Sequence, residues 1–399
     1  MRCSTMLSGH VAATRARAQR SDSDYLIAAQ DTTYYNYSGQ AQMSGLGVIQ
    51  GKVRGLMQHN VLLIDENGQP LGVIDQHYWT RGGALDWPAS QKESQKWFKG
   101  LAAVNQQAAD INKRWVVTCD RESDIFEFFK APREANVDLL VRVFQPRRVE
   151  VVSAGQVCPL PTVAAHLDNY GRYVVQIERQ HDGKRRTVEL TLQLQAATVH
   201  VHPHKDLSAA RHKSQALSLV VATEVACVDV KTQADCFDAD QALGWSLLTS
   251  LPIANLEDVK RIVRFYALRW RIERLHFTLK SGALDVEKLQ FDDVHTLVNA
   301  LTFYSVVAWQ LLGLTYALRR DPEQPAEALF EASELTLLHQ ISGKPVVSLR
   351  QATLALTKLV GFAPSQKQPL PGVKVLATAI ERFFFVKKGA AAVSKPLQD

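Results

Sequence analysis

The pattern of residues predicts an α/β protein with a β-rich middle section and a helical C-terminal region. Three observations predict it. Between residues 25 and 130, apolar runs of strand length alternate with stretches of helical spacing, the order of an α/β core. Residues 139–250 consist largely of short β-rich runs broken by basic turns. From about residue 256 the apolar spacing is helical again.

The elements follow in order. Residues 1–24 set Arg15, Arg17 and Arg20 among alanines, a leader for which a short helix and disorder both stay open. Tyr25 to Gln30 is a mostly apolar strand-length run ending in Asp31, Thr32 and Thr33. Val61–Ile64 and Leu71–Ile74 predict a hairpin about Asn67-Gly68, because Asn-Gly adopts the positive φ angles of a tight turn. Residues 91–111 predict a helix starting near Glu93, with Trp97, Leu101 and Val104 at helical spacing. Trp115–Cys119 is a second apolar run, ending in Asp120, and Asp124–Lys130 predicts a further helix. Parallel strands end on one side of a sheet, where α/β sites gather, so Asp31 and Asp120 can meet across 89 positions.

Leu139–Phe144, Tyr173–Ile177, Val188–Leu194, Leu217–Val225 and Trp245–Thr249 make up a mostly antiparallel β section. Residues 256–281 and 291–317 predict two strong helices, the first with a dense polar face and the second largely apolar and buried. Residues 322–335 and 346–361 predict two more modest ones, and beyond Phe362 the chain is rich in Pro, Gly and Lys.

With 399 residues the chain is long enough for two or three domains, and 46% hydrophobic residues suffice for an ordinary core. No uninterrupted apolar run reaches the roughly 18–20 residues of a membrane span, and the N-terminus lacks a signal-peptide pattern. Five cysteines without a CxxC pair exclude a disulfide scaffold and a four-cysteine zinc site, and fit a reducing compartment such as the cytoplasm. The formal net charge of +6 permits a polyanionic partner.

The densest polar pattern surrounds Glu273. Tyr266, Arg269, Glu273 and Lys280 stand at steps of three, four and seven, which on one regular helix share a face, flanked by His276 and Phe277. By itself this is equally a solvated face with an i,i+4 Arg–Glu pair worth about 0.2–0.5 kcal/mol. Asp31 and Asp120 are individually turn or N-cap residues. Together, three converging carboxylates repel unless cations join them, and hard divalent ions take oxygen ligands. Two such ions activate an attacking oxygen and stabilise a leaving one in phosphodiester chemistry. Arg269 and Lys280 supply cations suited to a phosphate backbone. His200, His202, His204 and His212 lack a completing set of cysteines or carboxylates and predict a surface strand, and Cys119 predicts a small buried side chain. Arg142, Arg147, Arg148 and Lys184–Arg186 are open to two readings, a DNA-facing track or a soluble surface.

The segments AAQDTT around Asp31, KESQKW at Lys92–Trp97, VVTCDRESDI around Asp120, WSLLTSLPI from Trp245 and YALRWRIERLHFTLKSG from Tyr266 resemble DDE transposases of the IS4 group, most nearly the Tn5 (IS50) branch. The last holds that group's Y-x2-R-x3-E-x6-K signature as Tyr266, Arg269, Glu273 and Lys280. The resemblance runs with gaps from about residue 25 to about 315. It implies an RNase H-like catalytic core (residues 25–138 and 251–320) interrupted by the β-rich insertion (139–250), then a C-terminal helical region (321–399) with a possible dimerising role.

It also implies that Asp31, Asp120 and Glu273 form a catalytic, metal-binding triad for Mg2+, with Mn2+ as substitute. Tyr266, Arg269 and Lys280 would contact DNA phosphates. Trp245, 28 residues before Glu273, would stack on a flipped base. Arg142 and His276 join them as DNA-binding candidates, His276 being equally a satisfied polar residue. The implied partners are double-stranded DNA with terminal inverted repeats and target DNA, bound by a homodimer away from membranes. The implied reaction is cut-and-paste transposition through a hairpin intermediate. Only 30 residues precede Asp31, where the family carries a separate DNA-binding domain, so an N-terminally truncated copy is expected. A catalytically silent, DNA-binding or inhibitory remnant is the alternative expectation. The Leu-Trp-x-Gly pattern of family C-termini is replaced by VLATAIERFFFV.

Overall fold

The computed structural model describes residues 3–88, 91–181, 184–203, 214–366 and 368–393. In chain order the elements are α1 (Cys3–Arg20), β1 (Tyr25–Asn36), β2 (Gly47–Gln50), β3 (Val53–Asp65), β4 (Pro70–Trp79), α2 (Gln95–Ala108), β5 (Arg114–Cys119), α3 (Phe126–Phe129) and β6 (Val137–Arg142). There follow β7 (Arg148–Val151), β8 (Gln156–Pro159), β9 (Asp168–His181), β10 (Lys184–Val201), β11 (Gln215–Asp229) and β12 (Gly244–Thr249). The helical remainder is α4 (Leu256–Leu268), α5 (Trp270–Phe277), α6 (Val294–Arg320), α7 (Ala332–Ser342), α8 (Leu349–Lys358) and α9 (Val373–Val393). The protein is mixed α/β, with a large mixed sheet and a helical C-terminal region. The chain forms two compact units, one of Met1–Ser21, Thr32–Ala89 and Arg271–Asp399, the other of Asp22–Asp31 and Ser90–Trp270.

The second unit is built on parallel strands that open into an antiparallel fan. β5 pairs parallel with β1, from Tyr25↔Arg114 to Ala29↔Thr118, and with β6, from Trp115↔Val137 to Cys119↔Val141. β12 runs antiparallel to β6, and β11, β10, β7 and β8 follow outward, with β9 paired to β10. Parallel neighbours need a crossover, which between β1 and β5 includes α2. Its apolar stripe of Trp97, Leu101, Val104 and Ala108 is buried. Gly100 lets α2 approach, because a Cβ there would lie 2.3 Å from the Gln30 Oε1. β6 and β12, at either end of the β-rich section, lie in the same sheet, β6 beside β5 and β12 beside β6. α4 is capped by Asn255, whose side chain accepts the Asp258 N–H, and Phe265 of this helix packs on Tyr25 with ring centroids 5.2 Å apart.

In the first unit β3 pairs antiparallel with β4, from Met57↔Trp79 to Ile64↔Pro70. The expected Asn67-Gly68 turn is present: Gly68 has φ 84°, and Asp65 accepts the Asn67 and Gln69 N–H groups at 3.0 and 2.8 Å. α6 is capped by Asp293, and Leu297, Leu301, Ala308, Leu311 and Leu318 are buried along it. It is the one helix among the described residues long and apolar enough to cross a membrane, yet 56% of that stretch is buried inside the protein. This matches the buried helix expected for residues 291–317. α7, α8 and α9 share a core of Leu338, Val346, Leu356, Ala379 and Phe383.

Several elements differ from expectation. β1 does not stop before Asp31 but runs on to Asn36, because Thr32, Thr33, Tyr34 and Tyr35 are strong strand formers. Residues 256–281 are not one regular helix. Arg269 closes α4 with its N–H on the Tyr266 carbonyl at 3.1 Å, a tighter i→i−3 turn, α5 restarts at Trp270, and a π turn occupies Thr278–Gly282. Tyr266, Arg269, Glu273 and Lys280 are therefore not placed by a single 3.6-residue period. The helix expected over Asp124–Lys130 shrinks to the one turn of α3, and that over 322–335 begins only at Ala332. α9 was not anticipated after the Pro- and Gly-containing stretch, although Leu376, Ala379 and Phe383 mark its buried face.

The leader is helical and built into the first unit. Arg17 Nε donates to the Leu71 carbonyl at 2.6 Å, and its guanidinium lies 4.3 Å from the Trp309 ring centroid. Gly72 allows α1 to dock, since a Cβ there would fall 1.9 Å from Thr14 Oγ1. His10 Nε2 accepts the Val73 N–H at 3.0 Å, which requires a neutral ring. Burial, and then the Arg17 charge, lower the His10 pKa from 6.5 to about 4. The unfolded chain takes up this proton near pH 6.5, whereas the folded chain resists it to about 4. The contribution is therefore whole above pH 6.5 and is lost as pH falls through the window down to about 4. The expected loss is up to about 3 kcal/mol, at roughly 1.36 kcal/mol per pH unit. Urea unfolding across that range should show the slope in the natural chain and a flatter profile in His10→Gln.

Candidate functional site

Asp31 and Asp120 are placed by the β1–β5 register. The last parallel pair is Ala29↔Thr118, and each aspartate lies two residues further along its own strand direction. Both are half-buried. Asp120 caps a single 3₁₀ turn, Arg121–Ser123, by accepting the Glu122 N–H at 2.9 Å, so it is an N-cap residue as well as a candidate ligand. Asp31 faces Arg269, whose Nη1 is 3.9 Å from Asp31 Oδ2 with the guanidinium almost wholly buried.

Burial raises the Asp120 carboxyl pKa, the Glu122 charge adds to the rise, and the Glu122 N–H, Arg269 and Lys96 oppose it. Lys96 is held by Glu122 at 2.8 Å. Cys119 is buried, and its thiol is pushed well up by that burial and by the adjacent Asp120, so it is no nucleophile at neutral pH. The Tyr266 hydroxyl is raised by burial, opposed by the charges of Arg269 and Arg142. Trp245 is half-buried at the start of β12 and meets Tyr266 edge-on, with ring centroids 5.0 Å apart. Arg142 donates to the Gly244 carbonyl at 3.1 Å. Asp31, Asp120, Arg269, Tyr266, Trp245 and Arg142 all belong to the second unit.

Glu273, His276 and Lys280 belong to the first unit. Glu273 is half-buried in the first turn of α5. His276 is buried, with Asn60 Nδ2 donating to its Nε2 at 3.0 Å, and Gln76 Nε2 in turn donates to Asn60 Oδ1 at 2.9 Å. Lys280, on the π turn, donates to the Tyr34 carbonyl at 2.8 Å. Single π turns recur at functional positions in helices. Among the described residues no three His, Cys, Asp or Glu side chains stand close enough to hold a metal ion as they are.

Two residues of the basic set are tied into ion pairs. Arg147 turns inward to a buried ion pair with Asp124, and Arg186 lies 3.3 Å from Asp229. Arg148 is exposed. The side chains of Lys184 and Arg185 lie outside the described residues. His200 and His202 stand 3.6 and 3.7 Å from the Glu150 carboxylate, and His204 and His212 lie outside the described residues.

One feature near Asp120 had no sequence signal. Phe144, in the turn two residues past the end of β6, is 67% exposed, and the Arg121 guanidinium lies 5.2 Å from its ring centroid. The Asp124 carboxylate fixes that turn by accepting the Phe144 and Gln145 N–H groups, each at 2.8 Å. A single aromatic after a strand reads as core in a sequence, and only the turn geometry turns it outward.

No family model matches the chain. Among solved structures, the piggyBac transposase synaptic complex with hairpin DNA aligns with 96% of this chain at 9% identity and a TM-score of 0.38. The aligned chain spans 57% of that structure's own length. A likeness so distant assigns no residue a role.

Because burial raises the Asp120 pKa, ionising it costs stability; the cost begins as pH rises past the ordinary carboxyl value of 3.8 and is complete above the raised value. Asp120→Asn, which keeps the capping oxygen, should raise the Tm of metal-free protein at pH 7.

Proposed function

We propose that this chain is a metal-dependent DNA-cleaving and strand-joining enzyme of transposase type, with Asp31, Asp120 and Glu273 as its carboxylate set. The observation that carries this reading is the β1–β5 register, which sets two aspartates side by side with Arg269 against one of them. The donors are carboxylate oxygens, the kind Mg2+ takes, with Mn2+ as a substitute. The unfavourable ionisation of Asp120 is what a cation would relieve. When bound, such ions supply an activated attacking oxygen and a stabilised leaving oxygen.

The chain's own side chains do the rest. Arg269 would grip a DNA phosphate with its planar fork, and Asp31 would be the carboxylate that holds the ion beside it. The Tyr266 hydroxyl and the Lys280 ammonium add phosphate donors, and Arg142 extends the cationic edge. His276, held by Asn60, fixes the α5 turn that presents Glu273. Trp245 stacks on a base turned out of the helix, which a hairpinned strand end requires. Phe144 with Arg121 offers a second stacking surface on the same unit. In this reading water nicks the end of the element, the freed 3′-OH attacks the opposite strand to close a hairpin, and the reopened end joins target DNA. The DNA partner carries terminal inverted repeats, and a homodimer holds the paired ends.

The test is a cleavage assay on DNA bearing the element's own inverted-repeat end, with Mg2+ or Mn2+. Nicks and hairpins should form with the natural chain and fall roughly a thousandfold or more in Glu273→Ala, the scale of losing a member of a catalytic set. DNA retained in a shift assay without cleavage by folded protein would instead mark a non-cutting, DNA-binding inhibitor. Separately, Phe144→Ala should weaken binding to DNA with an unpaired end by about 1–2 kcal/mol, roughly five- to thirtyfold in Kd, and leave fully paired DNA nearly unaffected.

A further inference from the structure

Far along the β section, β11 and the segment after it form a tight clasp. Cys227 pairs with Leu190 of β10 and is fully buried, and Cys236 is 8% exposed. Between them the chain reverses within residues 228–235. Val228 bridges Asp235, the Asp229 N–H donates to the Ala234 carbonyl at 2.9 Å, and the Cys236 N–H donates to the Cys227 carbonyl at 2.8 Å. The Asp229 carboxylate pins the turn by accepting the Lys231 and Thr232 N–H groups at 2.9 and 2.8 Å, and Gln233 takes the positive φ of 59° that closes it. The backbone thus holds the two cysteines opposite each other without help from sulfur.

The two sulfurs are 2.7 Å apart. That is closer than unbonded sulfurs rest comfortably, and short of the bonded separation of about 2.05 Å by well under an ångström. Their surroundings are apolar: Val188 and Leu190, with Val175 and Ile177 against them. One cation is near, the Arg179 guanidinium, 4.0 Å from Cys227 Sγ and held in place by both oxygens of Glu224 at 2.8 and 2.7 Å.

We propose that Cys227 and Cys236 form a reversible dithiol–disulfide pair, oxidised by a low-molecular-weight disulfide. The less buried Cys236 thiolate attacks one sulfur of the small disulfide, forming a mixed disulfide and releasing one small thiolate. Cys227, losing its proton, then attacks the Cys236 sulfur and displaces the second small thiolate. Two protein thiols and one small disulfide become one protein disulfide and two small thiols, so atoms and electrons balance. Ring closure spans only residues 227–236 and needs no backbone search, because the turn is already formed. Burial, with the Cys236 thiol beside it, pushes the Cys227 thiol up to about 12, so its attack is the slow step, and Arg179 is the group that favours its thiolate. In a reducing compartment such a bond is transient, a mark of oxidant exposure and not a scaffold.

The sequence makes the test direct. Lys231 is the one Lys or Arg between the two cysteines, so trypsin cuts them into separate peptides. The full-length folded chain is incubated with oxidised glutathione, free thiols are alkylated, and the unreduced digest is mapped by mass spectrometry. The Cys227 and Cys236 peptides should become joined in most molecules and separate on reduction, with Cys119 and Cys158 still alkylatable after unfolding. In Cys236→Ser no such joined pair should form. Both peptides staying free under oxidation that joins them in the urea-unfolded chain would overturn the proposal. A lasting glutathione adduct on Cys236 with Cys227 free would overturn it equally, since it would show that the second attack cannot occur.

Discussion

Parallel pairing between β1 and β5 is the constraint from which the second unit follows. Two parallel neighbours cannot be joined by a hairpin, so the intervening chain must leave the sheet and return across its face. α2 supplies part of that return, and its close seating over Gln30 depends on a glycine. The same pairing fixes register, and register alone brings residues 89 positions apart to corresponding places just past the paired stretch of two adjacent strands. A slip of one residue would turn each side chain to the opposite face and separate the aspartates.

Charge in this unit is managed by pairing wherever it is buried. Arg147 lies against Asp124, and Arg179 grips Glu224 with both arms. Each such pair would cost several kcal/mol if one partner were removed, because the survivor would be a lone charge out of water. Asp31 and Asp120 are treated differently. Asp31 has Arg269 at a looser 3.9 Å, and Asp120 has backbone capping with more distant cations.

Much of the fold was legible because it rests on local pattern. The strands β6, β9, β10, β11 and β12 in their cores, the Asn67-Gly68 hairpin, α2, β5 and α6 all follow from alternation, helical spacing or turn chemistry in a few adjacent residues, whereas the short β7 and β8 carried no such signal. The misreadings have physical causes. β1 ran past Asp31 because Thr and Tyr are as content in a strand as the apolar residues before them. α9 was obscured by the Pro-Gly that precedes it, although Gly is at home just outside a helix. The break at Arg269 and the π turn at 278–282 are irregularities of hydrogen bonding that side-chain spacing does not encode. For the site, Asp31 and Asp120 were visible as residues closing apolar runs. The inward turn of Arg147, the Asn60 support of His276 and the outward turn of Phe144 were not, since each depends on partners distant in sequence or on the set of a turn.

The π turn also alters what a count of residues means. A π turn holds one residue more than the helical ladder around it needs. Every side chain beyond it is rotated by roughly a quarter-circle or more from where an unbroken helix would point it. Lys280 sits inside that excess. The interval between Glu273 and Lys280 is therefore a distance along the chain and not an angle around an axis. Deleting Thr278 or Leu279 would shorten the interval by a single position, restore an ordinary helix, and swing the ammonium off the Tyr34 carbonyl that now anchors it.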